Sequence, residues 1–202
     1  MEMTEGQILD LLEKIANRTP KIISERAIET LYLEFNRLVR NYVWKSISQD
    51  DMLIEEVIQD TFLEVWKHPE RFRGEAKFKT WLLGIARHKA LDCLRKHRKD
   101  HDTLEEIEES LESGEITAAD MIQEEQVQKA IKACLETLSA NGKLSSEHKE
   151  VLHLAYIEDQ DLNEMSQILN CLESTIKTRL HYARLRIKNC LKKRLYGDEG
   201  RG

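Results

Sequence analysis

Two prolines and eight glycines in 202 residues are too few to punctuate an all-β chain, which needs a turn signal roughly every 8–12 residues. A mostly helical fold is what remains. The longest apolar run, WLLGIA, is about six residues against the ~20 that span a bilayer, and the acidic opening MEMTEGQILD lacks a signal peptide's basic start. A cytoplasmic protein without membrane insertion is expected. The four cysteines, at 93, 134, 171 and 190, form no CxxC pair, so neither a disulfide scaffold nor a zinc knuckle is expected and the thiols are read as reduced and mostly buried. Catalytic signatures are missing too: no Gly-rich phosphate loop, no HExxH, no nucleophile beside an evident base. The chain is therefore read as no enzyme and as needing no cofactor. Cys93, His97 and His101 recur every four residues, but the first two fall on an apolar helix side and a fourth ligand is missing, so no metal site is assigned.

What the chain has is charge, and the charge is segregated. A net charge of −6 argues against a nucleic-acid binder only as an average. Residues 71–99 carry ten Lys/Arg against Glu75 and Asp92, and residues 173–196 carry eight against Glu173 alone. Between them, residues 100–125 hold eleven Asp/Glu and no Lys or Arg. Two basic patches with an acidic spacer suit a polyanion touched at two places.

Periodicity supplies the helices. Ile28, Leu31, Phe35, Leu38, Val39 and Tyr42 recur at three and four, as do Ile54, Val57, Ile58, Phe62 and Val65, each an apolar helix stripe. Pro69 ends the second stripe, and a third helix is expected over about 80–99. Leu83, Ala86, Ala90, Cys93 and Leu94 fall on one side of it, with His88, Asp92, Arg95 and Lys99 on the other. Before it, Phe72, Phe78 and Trp81 alternate with Arg73, Lys77 and Lys79, a composition suited to unstacked bases and their phosphates. The competing reading, favoured for Trp81, is that Phe78 and Trp81 close the core.

The acidic strip has too few large apolar residues to pack and reads as a flexible linker. Beyond it, helices are expected over about 121–138 and 146–157, followed by a helix-turn-helix signal. Asp161 with Glu164 makes a capping-box start, Asn170 tolerates the left-handed turn, and a last helix runs from about 173 to 195. On that helix Ile176, Leu180, Ala183, Ile187 and Leu191 form the apolar stripe. The opposite face presents Ser174, Thr178 and His181 flanked by Lys177, Arg179 and Tyr182, with Arg184 at the border: short polar groups for base edges, cations for phosphates.

The segments EEVIQDTFLEVW, FRGEAKFKTWL, IARHKALDCLRK and EHKEVLHLAYIEDQDLNEMSQILNCLESTIKTRLHYARLRI, in this order, resemble regions two and four of the extracytoplasmic-function sigma factors of the bacterial sigma-70 family. The resemblance implies an all-α protein of two small helical domains. Region two would span 1–99 and region four 122–196, joined by a linker over 100–121 and followed by a tail over 197–202. It implies a monomer when free that binds the clamp coiled coil and flap of core RNA polymerase and contacts promoter DNA, duplex and melted. An anti-sigma factor is a further implied partner. Residue by residue, Glu56, Gln59 and Asp60 match the polymerase-contacting motif. Arg73, Lys77 and Lys79 match the loop that captures a minus-ten base, with His88, Asp92, Arg95 and Lys96 on the helix beside it. Ser174, Thr175, Lys177, Thr178, Arg179, His181 and Arg184 correspond to the minus-thirty-five recognition helix. The chain departs from the family pattern at His88, where Asn is frequent, at Asn170 and Ser174, where Gly is, and at Tyr182, where a basic residue is.

Two other readings stay open on the residues alone. One is a self-sufficient dimeric helix-turn-helix regulator, which would bind a palindrome unaided. The other is an adaptor whose helices bind only proteins.

Overall fold

The computed structural model describes residues 3–18, 20–98 and 124–196. The expected linker over 100–121 and tail over 197–202 lie outside the described residues, as does His101.

All regular structure among the described residues is helical: α1 (Glu5–Asn17), α2 (Lys21–Ser46), α3 (Asp51–Lys67), α4 (Phe78–Arg98), α5 (Glu124–Ala140), α6 (Ser146–Tyr156), α7 (Leu162–Leu169) and α8 (Glu173–Tyr196), with a 3-10 turn at Pro69–Arg71. The periodicity places α2, α3 and the later helices where they are found. It misses α1, whose signals are nevertheless local. Thr4 and Gln7 form a capping box, Ile8, Leu12 and Ile15 make a buried stripe, and Arg18 in the left-handed region stops the helix. α3 starts where Asp50 accepts from the Met52 and Leu53 amides, at 2.9 and 3.4 Å.

Helices α1 to α4 bury Leu31, Val39, Tyr42 and Val43 of α2, Ile54, Val57, Ile58 and Val65 of α3, and Phe78, Leu82, Leu83, Ala86 and Ala90 of α4. Phe72, Phe78 and Trp81 pack ring against ring, at centroid distances of 5.4 to 5.7 Å, and Phe78 is fully buried. The rings therefore close this core, and the base-stacking role considered for them gives way to the competing reading.

In the second half α5, α6 and α7 all pack on α8. A correction concerns the cysteines. Cys134 on α5 and Cys190 on α8 are joined in a disulfide with 5.8 Å between Cα atoms, although their 56-residue separation offers no motif. The expectation of burial holds for Cys134, but the packing of α5 on α8 sets it opposite Cys190 and the pair is oxidised. Cys93 and Cys171 remain thiols.

The two helical groups also meet each other. α6 lies on α2 and α7 on α4, so Val151, Leu154, Met165 and Ile168 join the same apolar core as Tyr42 and Leu83. Polar pairs complete this seam, and they bear directly on the site.

Candidate nucleic-acid interface

On α3, burying Leu53, Ile54, Val57, Ile58, Phe62 and Val65 turns Glu55, Glu56 and Gln59 outward and leaves Asp60 half-buried. Met52 and Leu63 are exposed on the same outer side, Met52 at 84%. Sequence reasoning passed over these two. Their signal was an apolar residue at a solvent-facing position of a well-sorted wheel. Arg40 of α2 pairs with Glu55. Glu56 leans toward α4, where Lys96 stands 4.0 Å away. Burial, with Glu56 as hydrogen-bond partner, pushes the Cys93 thiol up to about 11, so it stays protonated at neutral pH. Two residues assigned from sequence to different partners, Glu56 and Lys96, are thus neighbours.

The loop from the 3-10 turn to α4 is held at both stems. At its start Arg71 pairs with Glu64, whose other oxygen takes Lys89 at 3.0 Å; the Lys89 hydrogen bond holds the Glu64 carboxyl below its ordinary range. At its end both oxygens of Glu5 accept from the Phe78 amide, at 3.2 and 3.3 Å, capping α4 from another helix. Helix α1 also reaches the first stem, where Arg18 donates to the Lys67 carbonyl at 3.3 Å and lies over the Trp66 ring. Between the stems Gly74 takes a φ of +71°, and Arg73, Gly74, Glu75 and Lys77 are exposed.

The residues expected on and beside this loop divide in two. His88, Asp92 and Arg95 form a ladder on the open side of α4, with Asp92 3.2 Å from His88 and 2.8 Å from Arg95. Lys77 and Lys79 instead reach the C-terminal helical group, Lys77 at α7 and Lys79 at the turn between α6 and α7. Lys77 meets Glu164 at 2.9 Å and Lys79 meets Glu158 at 2.8 Å, while Thr80 donates to Gln160 at 2.9 Å. Arg87, further along α4, meets Glu150 at 2.9 Å.

The helix-turn-helix is built as its local chemistry directs. Asp161 and Glu164 make the capping box of α7, and Asn170 ends it in the left-handed region at φ 50°. On α8, Ile176, Leu180 and Ala183 are buried, and Ser174, Lys177, Thr178, His181 and Tyr182 face solvent; Thr175 and Arg179 are half-buried. The Thr178 hydroxyl donates to the Ser174 carbonyl at 3.0 Å, leaving its lone pairs and methyl outward. Arg184 turns away from this face, donating to the Tyr156 hydroxyl at 2.6 Å and lying over its ring. Tyr156, a partner that sequence reasoning missed, carries no local signal because it lies 28 residues away.

Residues 31–100 match the model of sigma-70 region 2, and residues 142–189 match that of sigma-70, region 4. Relatives include the ECF RNA polymerase sigma factor SigM of Bacillus subtilis, 29% identical over 77% of this chain and 91% of its own. Another is the ECF RNA polymerase sigma factor SigL of Mycobacterium tuberculosis, 28% identical over 77% of this chain and 84% of its own. The chain belongs to the extracytoplasmic-function sigma factors. Among solved structures its fold is similar to that of the sigma factor RpoE in complex with the anti-sigma factor NepR from Bartonella quintana, with a TM-score of 0.55, 24% identity and coverage of 81% and 96%. It also resembles CnrH in complex with the cytosolic domain of CnrY, with a TM-score of 0.57, 18% identity and coverage of 92% and 97%. Two features of this sigma factor fall outside the matched stretches: α1 precedes the first, and the Cys134–Cys190 disulfide brackets the second. No helix among the described residues is long and apolar enough to cross a membrane.

Proposed function

We propose that this sigma factor divides its work between a region-two domain, 1–99, and a region-four domain, 122–196, with 100–121 as linker and 197–202 as tail. Core RNA polymerase takes the outer face of α3, through Glu56, Gln59 and Asp60, with Met52 and Leu63 extending that face. Arg73, Lys77, Lys79, His88, Asp92, Arg95 and Lys96 contact the minus-ten element. Ser174, Thr175, Lys177, Thr178, Arg179 and His181 contact the minus-thirty-five element, and Arg184 does so once it leaves Tyr156. The protein works in the cytoplasm and catalyses nothing itself. The polymerase performs the chemistry, and an anti-sigma factor restrains the free chain, in keeping with the anti-sigma factor NepR named as the partner of RpoE.

The observation that supports this most is the solvent-facing row Ser174, Lys177, Thr178 and His181, set opposite a buried stripe on the second helix of a capped helix-turn-helix. Such a helix enters a major groove with short polar groups at the base edges and cations at the phosphates. Run-off transcription with core polymerase on genomic fragments is the test. Start sites that depend on the protein, and that vanish when Ser174 and Thr178 are both changed to Ala, are expected. Specific duplex footprints by the protein alone would favour the self-sufficient regulator instead.

A further inference from the structure

The two stems of the loop that precedes α4 are fastened by the two ends of a single helix, α1. Helix α4 begins at Phe78, and the Trp81 amide already bonds the Lys77 carbonyl at 3.2 Å, so Lys77 stands at the N-cap, where an acceptor side chain is wanted. An ammonium has no lone pair to offer. Glu5 supplies the acceptor from 73 residues away. Its two oxygens lie 3.2 and 3.3 Å from the Phe78 amide, and its charge faces the positive end of α4. At the other stem the polarity is reversed. Trp66 and Lys67 belong to the last turn of α3, whose carbonyls lack partners within the helix. Arg18 donates to these two carbonyls at 3.5 and 3.3 Å, a cation at the negative end of α3. Helix α1 is itself seated by Ile8, Leu12 and Ile15, all buried, and Glu5 and Arg18 both precede the stretch matched to sigma-70 region 2.

We propose that Glu5 and Arg18 are positioning residues for strand capture: α1 braces both stems, so that Arg73, Gly74 and Glu75 stand in the capturing geometry before the minus-ten strand arrives. The inference rests on the reading of residues 73–79 as minus-ten contacts. Both residues act through the backbone of the stems rather than on the strand. Gly74, at a φ of +71°, gives the loop its turn but no stiffness of its own, so the stiffness has to come from the ends. A loop already fixed at both ends gives up less freedom when the strand binds, and more of the contact energy is left to hold the strand open.

The test uses holoenzyme assembled from core polymerase and the full chain, on a promoter fragment mapped by run-off transcription. Three quantities are read: affinity for core polymerase, affinity for the duplex fragment in the cold, and the rate at which minus-ten thymines become reactive to permanganate. Glu5→Ala and Arg18→Ala should each slow opening about tenfold, through the loss of a charged hydrogen bond that orients the loop, and leave both affinities unchanged. Glu5→Gln keeps an oxygen for the Phe78 amide and should fall between Glu5→Ala and wild type. Asp10→Ala removes another α1 carboxylate, one that faces Lys14 instead, and should change nothing. Arg73→Ala, in the loop itself, should also slow opening. If Arg73→Ala slows opening while Glu5→Ala and Arg18→Ala do not, the brace is overturned and the minus-ten reading stands. If none of the three slows it, that reading falls and takes the brace with it. Equal losses of core affinity and opening rate in Glu5→Ala and Arg18→Ala would overturn the proposal by reducing α1 to a part of the fold, and equal slowing by Asp10→Ala would do so by reducing the effect to charge.

Discussion

The Tyr42 hydroxyl donates to Glu150 Oε1 across 2.6 Å, joining α2 to α6 over 108 residues of chain, and Arg87 meets the same oxygen at 2.9 Å. Burial, and then the Glu150 charge, push the phenol well above its ordinary range, so it remains a donor at every working pH. Tyr42→Phe removes one of two donors and should cost about 1 kcal/mol. Glu150→Leu strands both donors at once and should cost about 3 kcal/mol or more. Urea unfolding of the two variants and their combination checks this, with a coupling of about 0.5–3 kcal/mol expected between the sites. Strict additivity would mean that the hydrogen bond does not hold the seam.

Acid should loosen the same seam through Glu158. Burial raises its pKa, but hydrogen bonds from His153 and Lys79 outweigh burial and leave it below the ordinary carboxylate value. A depressed folded-state value means the stabilisation is present above the unfolded-state pKa and is lost as pH falls through the folded one. The stability difference between wild type and Glu158→Gln should therefore be full at neutral pH and shrink below pH ~4. Unfolding midpoints of both proteins across that range are the measurement, and a constant difference would contradict the assignment.

What could be read in the sequence and what could not follows the range of the interaction. Asp161, Glu164 and Asn170 act on backbone groups close to them in the chain, so the entry and exit of α7 were legible. Apolar stripes at three and four fixed which faces of α3 and α8 look outward, and with them most of the candidate contacts. Glu150, by contrast, is a polar residue at a position whose burial depends on α2 and α4, far away in the chain. Lys77 and Lys79 were legible as cations in a basic patch, but their carboxylate partners come from the other helical group. The pairing of Cys134 with Cys190 has the same origin, since only the packing of α5 on α8 brings them together.

That disulfide predicts a redox-dependent stability. Tying positions 56 residues apart restricts the unfolded chain and should be worth about 2–4 kcal/mol. Thermal unfolding followed by circular dichroism, with and without reductant, should show a lower midpoint on reduction. Cys134→Ser should match the reduced protein and be indifferent to reductant. An equal response to reductant in that variant would move the effect elsewhere.

On the recognition helix, Lys177 and Thr178 are adjacent in sequence and should behave differently. Lys177 is exposed and lies 3.6 Å from Glu173, a loose pair one turn back that is readily given up to a phosphate. Such a contact carries no sequence information and is counted in released counterions. Thr178 presents its methyl and lone pairs outward while its proton is committed to Ser174, so it acts as an acceptor or an apolar contact at a base edge. In holoenzyme–promoter binding across a salt series, Lys177→Ala should reduce the salt slope by about one unit and weaken every promoter alike. Thr178→Ala should leave the slope intact and change the ranking of promoters, by about 1–3 kcal/mol at the position it reads. An unaltered slope in the lysine variant, or uniform loss in the threonine variant, would exchange their roles and rotate the helix in its groove.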